Sequence, residues 1–141
     1  MRAGTSHITS IVVSKPAEAV HAYMADPHLM HRWSFGTWET EVADDGLVLG
    51  TSLFDGGKGY VHIDADKARL SVDYHIGATP QALVPRILVK VIPGASVGLD
   101  AGRCVLTFVA WRTESMDDDR WRRLTAAHEL EVVLIKAQLE R

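Results

Sequence analysis

A single cysteine, Cys104, stands among 141 residues, so neither an internal disulfide nor a cysteine metal cluster is available to the chain. Long apolar runs are equally scarce. The longest purely apolar stretches, such as Val132 to Ile135, fall far below the ~20 residues that a membrane-spanning helix needs. No basic run exists either: the fifteen Lys and Arg are scattered and the net charge is −3, which removes the electrostatic footprint of a nucleic-acid binder. The opening residues Met1 to Ser6 lack a hydrophobic signal core, so the expected location is cytoplasmic. Repeats and low-complexity linkers are missing as well, and residues 1–141 are expected to form a single domain. Its 47% apolar and 23% charged residues are globular values.

What is present reads as an ordered series of elements. His7–Val13 is rich in β-branched residues and predicts a first strand. Ser14 as a cap and Pro16 as a residue of preset φ then open a short helix over Ala17–Ala25. Asp26-Pro27 opens a second short helix through Leu29, Met30 and Trp33. From Thr37 the pattern changes to strands separated by turn residues. Thr37–Ala43 and Leu47–Phe54 flank Asp44-Asp45-Gly46, for which a two-residue and a three-residue loop both fit. Asp55-Gly56-Gly57 makes the next turn. A turn at Asp66-Lys67 would pair Asp64 with Arg69, Ile63 with Leu70, His62 with Ser71 and Val61 with Val72. One face is then Val61, Ile63, Ala65, Leu70, Val72, Tyr74 and Ile76, and the other carries His62, Asp64, Arg69, Asp73 and His75. Such alternation means one buried face and one wet face. After a loop with Pro80 and Pro85, strands near Ile87–Ile92 and Cys104–Arg112 bring the total after Thr37 to roughly six.

The last segment is the strongest helix. Ser115 and Asp118 suggest a capping box, and Asp117, Asp118 and Asp119 place negative charge at the positive end of the helix dipole. Ala126, Ala127, Leu130, Val133, Leu134 and Ala137 share one arc, and Trp121, Leu124, Val132, Ile135 and Leu139 another. So apolar a helix needs cover on more than one side, from a curved sheet or from a second subunit.

Strand, two short helices, six strands and a long helix, in a chain of this length, resemble the START-like, or SRPBCC, superfamily. The resemblance is carried also by Ser14-Lys15-Pro16-Ala17-Glu18-Ala19-Val20 leading into Ala25-Asp26-Pro27 and Trp33, by Asp64 to Leu70, and by the closing helix. It implies an α+β helix-grip fold, a curved antiparallel sheet of about seven strands around a long C-terminal helix. This fold is shared with plant pathogenesis-related allergens and the polyketide cyclase/dehydrase group. The resemblance further implies a cavity between sheet and helix for lipid-, sterol- or polyketide-like molecules. The superfamily has no universal catalytic motif, so no catalytic residue is carried over.

On that basis the chain is expected to bind a small hydrophobic molecule, without a metal or other cofactor. Trp38, Tyr74, Phe108, Leu130, Val133 and Leu134 would line the cavity, and Trp33 and the Ala82-Leu83-Val84 loop would lie near its entrance. The Tyr74 hydroxyl would orient a polar ligand group, and Arg112 is a candidate anchor for a ligand carboxylate, against a surface placement at the strand end. The alternatives are a cyclase or aromatase, for which Asp73, His75 and Arg112 are the titratable candidates, and an interaction domain that dimerises through the apolar helix and the 78–85 loop. Other constellations have plain structural readings. His28 and His31 read as a surface pair, His128 and Glu131 as a partly buried hydrogen-bonded pair, Cys104 as an inert buried thiol, and Gly56-Gly57-Lys58-Gly59 as a hairpin turn lacking phosphate-loop spacing.

Overall fold

The computed structural model describes residues 4–141, so the first half of the Met1–Ser6 segment read for a signal core lies outside the described residues. The β-branched opening forms strand β1 (Ser6–Val13). Helix α1 (Ala17–Ala25) follows, with Pro16 as its N-cap and no side-chain cap bond. Ser14 therefore does not cap it; the Ser14 amide instead donates to the Glu140 carboxylate at 2.9 Å. The Asp26-Pro27 signal is realised, with the Asp26 carboxylate accepting from the His28 amide at 2.9 Å, but it opens a 3₁₀ helix, Pro27–Arg32. A second 3₁₀ turn, Phe35–Thr37, takes Thr37, the residue expected to begin the next strand.

Six strands follow: β2 (Glu39–Val42), β3 (Val48–Thr51), β4 (Lys58–Asp66), β5 (Ser71–Gly77), β6 (Val84–Pro93) and β7 (Cys104–Trp111). With β1 they form one antiparallel sheet in the order β1-β7-β6-β5-β4-β3-β2. The β2–β3 connection takes the three-residue option. Ala43 donates to the Leu47 carbonyl across it, and Gly46 sits at φ +87°, the left-handed position that such a loop requires.

The β4–β5 register differs from the expected one. Asp66 faces Ser71, Asp64 faces Asp73, His62 faces His75 and Val61 faces Ile76, so every pair is shifted by four residues. The turn is a longer loop in which the Asp66 carboxylate accepts from the Arg69 amide at 3.1 Å and Leu70 adopts φ +54°. An even shift leaves each strand residue on its expected face, which is why the alternation alone could not distinguish the two pairings. Val61, Val72 and Tyr74 are buried, while His62 and Asp64 are exposed on the outer face. Asp73 and His75 share that outer face, which removes the acid/base role that required them inside.

Helix α2 (Asp118–Leu139) closes the concave side. Its N-cap is Asp117, whose carboxylate accepts from the Arg120 amide at 2.7 Å; Ser115 instead pairs its hydroxyl with that of Thr113. The helix also covers the edge strand β1. Glu129 takes the Thr9 hydroxyl and lies 3.0 Å from His7, and Lys136 donates to the Val12 carbonyl at 2.7 Å. Of the two apolar arcs, the sheet takes the one with Trp121, Val132 and Ile135. Leu130 and Val133 face outward, each about half exposed, and Leu134 is half-buried. No helix among the described residues is long and apolar enough to cross a membrane.

Candidate functional site

The space between sheet and helix is largely filled. Trp33, just past the 3₁₀ helix, drives its indole into the grip, with Tyr74 and Phe108 meeting it edge to face at 5.8 and 5.6 Å. All three are almost fully buried. The Tyr74 hydroxyl donates to the Met24 carbonyl, so it is committed to the backbone rather than offered to a ligand, and burial raises its pKa well above the ordinary value. The expected aromatic lining is therefore the plug of the fold.

The cavity that remains, about 250 Å³, is displaced to one end of the sheet. Its walls come from Met30, Ser34 and the Phe35–Thr37 turn, from the β3–β4 loop with Asp55 and Gly57, from Lys58 and Val61 on β4, Ile76 on β5, Arg86 and Ile87 on β6, and the first half of α2. Local sequence explains why the sheet opens here. A register shift between Tyr74 and His75, with Pro85 opposite, bends the β5–β6 pair, since Pro removes a ladder donor. Gly50 faces Gly59 across β3–β4, and a Cβ on Gly50 would meet the Thr37 side chain at 2.4 Å. This contact lets the Phe35–Thr37 turn lie directly on β3, where Trp38 donates to the Thr51 carbonyl and Leu53 to the Phe35 carbonyl.

The chemistry of the cavity sits on α2. His128 and Glu131 are buried at i, i+3 and both line it, with His128 Nε2 at 3.7 Å from Glu131 Oε1. That separation would suit an ion pair and is too long for a hydrogen bond. Burial decides the protonation states instead. It pushes Glu131 up to about 8, a bond from the Phe35 amide opposing the shift, and pushes His128 down to about 4, with His7 and Arg86 adding to the effect. At neutral pH the pair is thus a neutral carboxylic acid beside a neutral imidazole. Glu131 Oε2 accepts from the Phe35 amide at 2.9 Å, which leaves Oε1 to carry the proton. Glu131 Oε1, His128 Nδ1, Arg86 Nε and Thr37 Oγ1 are all buried without a hydrogen-bond partner, and all belong to residues of this one cavity. Buried polar atoms are nearly always satisfied, so four in one place mark somewhere a ligand group or water completes the set.

None of the eight residues expected at the site, Trp33, Trp38, Tyr74, Phe108, Arg112, Leu130, Val133 and Leu134, lines this cavity. Trp33, Tyr74 and Phe108 pack together as its neighbouring wall of core. Trp38 is exposed, stacks on Phe35 at 6.2 Å, and borders a shallow surface depression with His31, Arg32, Gln138 and Arg141. Arg112 lies outside the cavity wall and does not reach for solvent. Its side chain is 6% exposed and joins the Met116 carbonyl and Asp118, fixing the start of α2. Val84 belongs to β6, and the loop before it lies outside the cavity wall. The residues that reasoning from sequence missed are Thr37, Arg86, His128 and Glu131. For the last two a signal existed: two ionisable residues sharing the arc of Leu124, Val132 and Ile135. For Thr37 and Arg86 there was none, because only the tertiary fold brings them there. The remaining readings are placed directly. His28 and His31 are exposed, and no group of three or more potential metal ligands occurs among the described residues. Cys104 is fully buried, and burial, with Glu18 adding, pushes its thiol up to about 11.

No family model matches the sequence, and no curated protein matches it. Solved structures do. The aromatase/cyclase Zhui from Streptomyces sp. R1128 superposes with a TM-score of 0.70 at 19% identity, over 96% of this chain and 93% of that one. One part of BexL, a di-domain ARO/CYC of the BE-7585A biosynthetic pathway, gives 0.71 at 17% identity over 99% of this chain and 47% of that one. A START superfamily protein from Mycobacterium smegmatis gives 0.64 at 11% identity, over 97% of this chain and 98% of that one. At such identities the likeness speaks of architecture, and with the sheet order and the clasped C-terminal helix it establishes that the chain has the START-like, or SRPBCC, helix-grip fold.

Proposed function

We propose that this chain binds a small, mainly apolar molecule, bearing at least one polar group, in the cavity between the sheet and the first half of α2. The observation that carries the reading is the set of four partnerless buried polar atoms, on Thr37, Arg86, His128 and Glu131, in residues around one space that Met30, Val61, Ile76 and Ile87 also line. The cavity volume of about 250 Å³ lies below the ~300–1,000 Å³ typical of drug-sized sites, which favours a ligand smaller than a sterol. Native mass spectrometry of the purified protein, with titration of a neutral environment-sensitive dye, tests it. An adduct or a saturable dye signal is expected; an empty protein that leaves the dye unchanged would end the reading.

A second reading, a cyclase or aromatase that moves protons on a carbonyl-rich substrate, is favoured by one observation. Glu131 and His128 form an acid and a base of neutral charge inside the cavity, where a proton donor and a proton acceptor are both needed. The aromatase/cyclase structures with the same fold support it by analogy alone. Supplied with a short poly-β-ketone thioester, the protein should accelerate ring closure, and Glu131→Gln should abolish that acceleration while still binding the thioester. Turnover equal to that of buffer in both proteins would leave binding as the whole activity.

A further inference from the structure

We propose that the cavity takes an amphiphile with an anionic head group, a carboxylate or a phosphate monoester, its head between Arg86 and Arg120 and its apolar body against Met30 and Val61. The proposal rests on the cavity being a binding site and specifies what it binds. The geometry begins with Arg86, which lines the cavity from β6 with Nε buried and partnerless; its Nη2 meets only the sulfur of Met116, at 4.0 Å. A thioether is a weak acceptor, and buried charges are ordinarily paired. Arg86 has no ion pair among the described residues. Burial lowers the Arg86 pKa to about 10, and a second cation, Arg120 in the first turn of α2, adds to the effect.

Local carboxylates leave Arg86 itself without an ion pair among the described residues. Asp117 caps α2, Asp118 pairs with Arg112, and Asp119 pairs with Arg122 and Arg123. Asp55 on the opposite wall accepts from the Gly57 amide and makes no ion pair among the described residues. Lys58 adds a further cation beside it. Glu131 faces the same space in its neutral form, and His128 is neutral too. A chain with a net charge of −3 thus gathers Arg86, Arg120, Arg123 and Lys58 around one cavity and leaves the most buried of them without a counter-charge. An anionic head supplies it, and the fork of a guanidinium matches a carboxylate or phosphate in plane and spacing.

Isothermal titration of the full chain with octanoate, octyl phosphate and octanol tests this. Both anions should bind about tenfold or more tightly than octanol, as expected for charge-assisted hydrogen bonds in a sheltered site. Added sodium chloride should shrink that advantage, and Arg86→Gln should erase it. Arg120 is exposed, so Arg120→Ala should reduce the advantage even if the Arg86 variant folds poorly. A preference between carboxylate and phosphate would identify the head group. A second readout is independent of affinity: octanoate should raise the pKa of His128, followed by NMR, because a nearby anion favours the imidazolium. Octanol binding as tightly as octanoate, with His128 unmoved, would overturn the anionic head and leave the cavity reading standing. Failure of all three to bind would overturn both.

Discussion

Glu131 concentrates the conflict between stability and chemistry in one side chain. Its carboxyl is buried, tied by one oxygen to the Phe35 amide and unpartnered at the other. An unfolded glutamate ionises near 4.5 and this one near 8, so across that window the folded state holds more protons and stability falls as pH rises. His128 acts in the opposite sense. It gains its proton near 4 when folded and near 6.5 when unfolded, so its contribution is lost as pH falls through that window. Between 4.5 and 6.5 the two slopes oppose each other, and above 6.5 only the Glu131 loss remains. Urea denaturation should therefore show a decline of roughly 2 kcal/mol between pH 6.5 and 8, at ~1.4 kcal/mol per pH unit for one group. Glu131→Gln, which cannot ionise, should flatten that decline, and an unchanged slope would show that Glu131 is already charged at pH 6.5. The spacing of His128 and Glu131 was visible in the sequence. Their neutrality was not, because it depends on how completely the sheet shields them.

At the scale of elements, α2 shows how far periodicity reaches. Two apolar arcs identified a helix greasy around most of its girth, and burial then favoured the arc holding Trp121, Val132 and Ile135. The sheet can embrace only part of a cylinder, so Leu130 and Val133 are left on the outside. Ile135→Ala should cost about 2–5 kcal/mol, the range for large-to-small changes in a packed core. Leu130→Gln should stay within about 0.5 kcal/mol, as surface changes do. Denaturant midpoints for the two variants check the assignment, and a large loss at Leu130 would reveal a covered outer face. The β4–β5 hairpin teaches a related point. Alternation fixed its faces, but the choice between a tight turn and the longer loop at Lys67–Leu70 needed the neighbouring strand, where Val91 donates to the Leu70 carbonyl and Lys90 reaches the Arg69 carbonyl.

For the whole molecule, the decisive event is where the empty space ends up. Trp33 enters the grip and stacks its edges against Tyr74 and Phe108, filling the middle, so the remaining volume moves toward Arg86, His128 and Glu131. Ala127, small and nearly buried on α2, keeps that end open. Ala127→Phe should fill it, leaving circular dichroism close to that of the parent while dye or ligand binding falls at least about tenfold, the equivalent of ~1.4 kcal/mol. Unaltered binding in a folded variant would place the ligand elsewhere.

Local chemistry alone determined the element order, the α+β class, the Asp26-Pro27 helix start, the division of the β4–β5 hairpin into an apolar and a polar face and the apolar character of the last helix. These depend on periodicity and on residues a few positions apart, which a chain carries in its linear order. Tertiary structure decided the hairpin register, the arc of α2 that is buried, the plugging of the centre by Trp33 and the convergence of Thr37, Arg86, His128 and Glu131. Each of those depends on which surfaces compete for the same volume, and that competition exists only once sheet and helix have closed on one another.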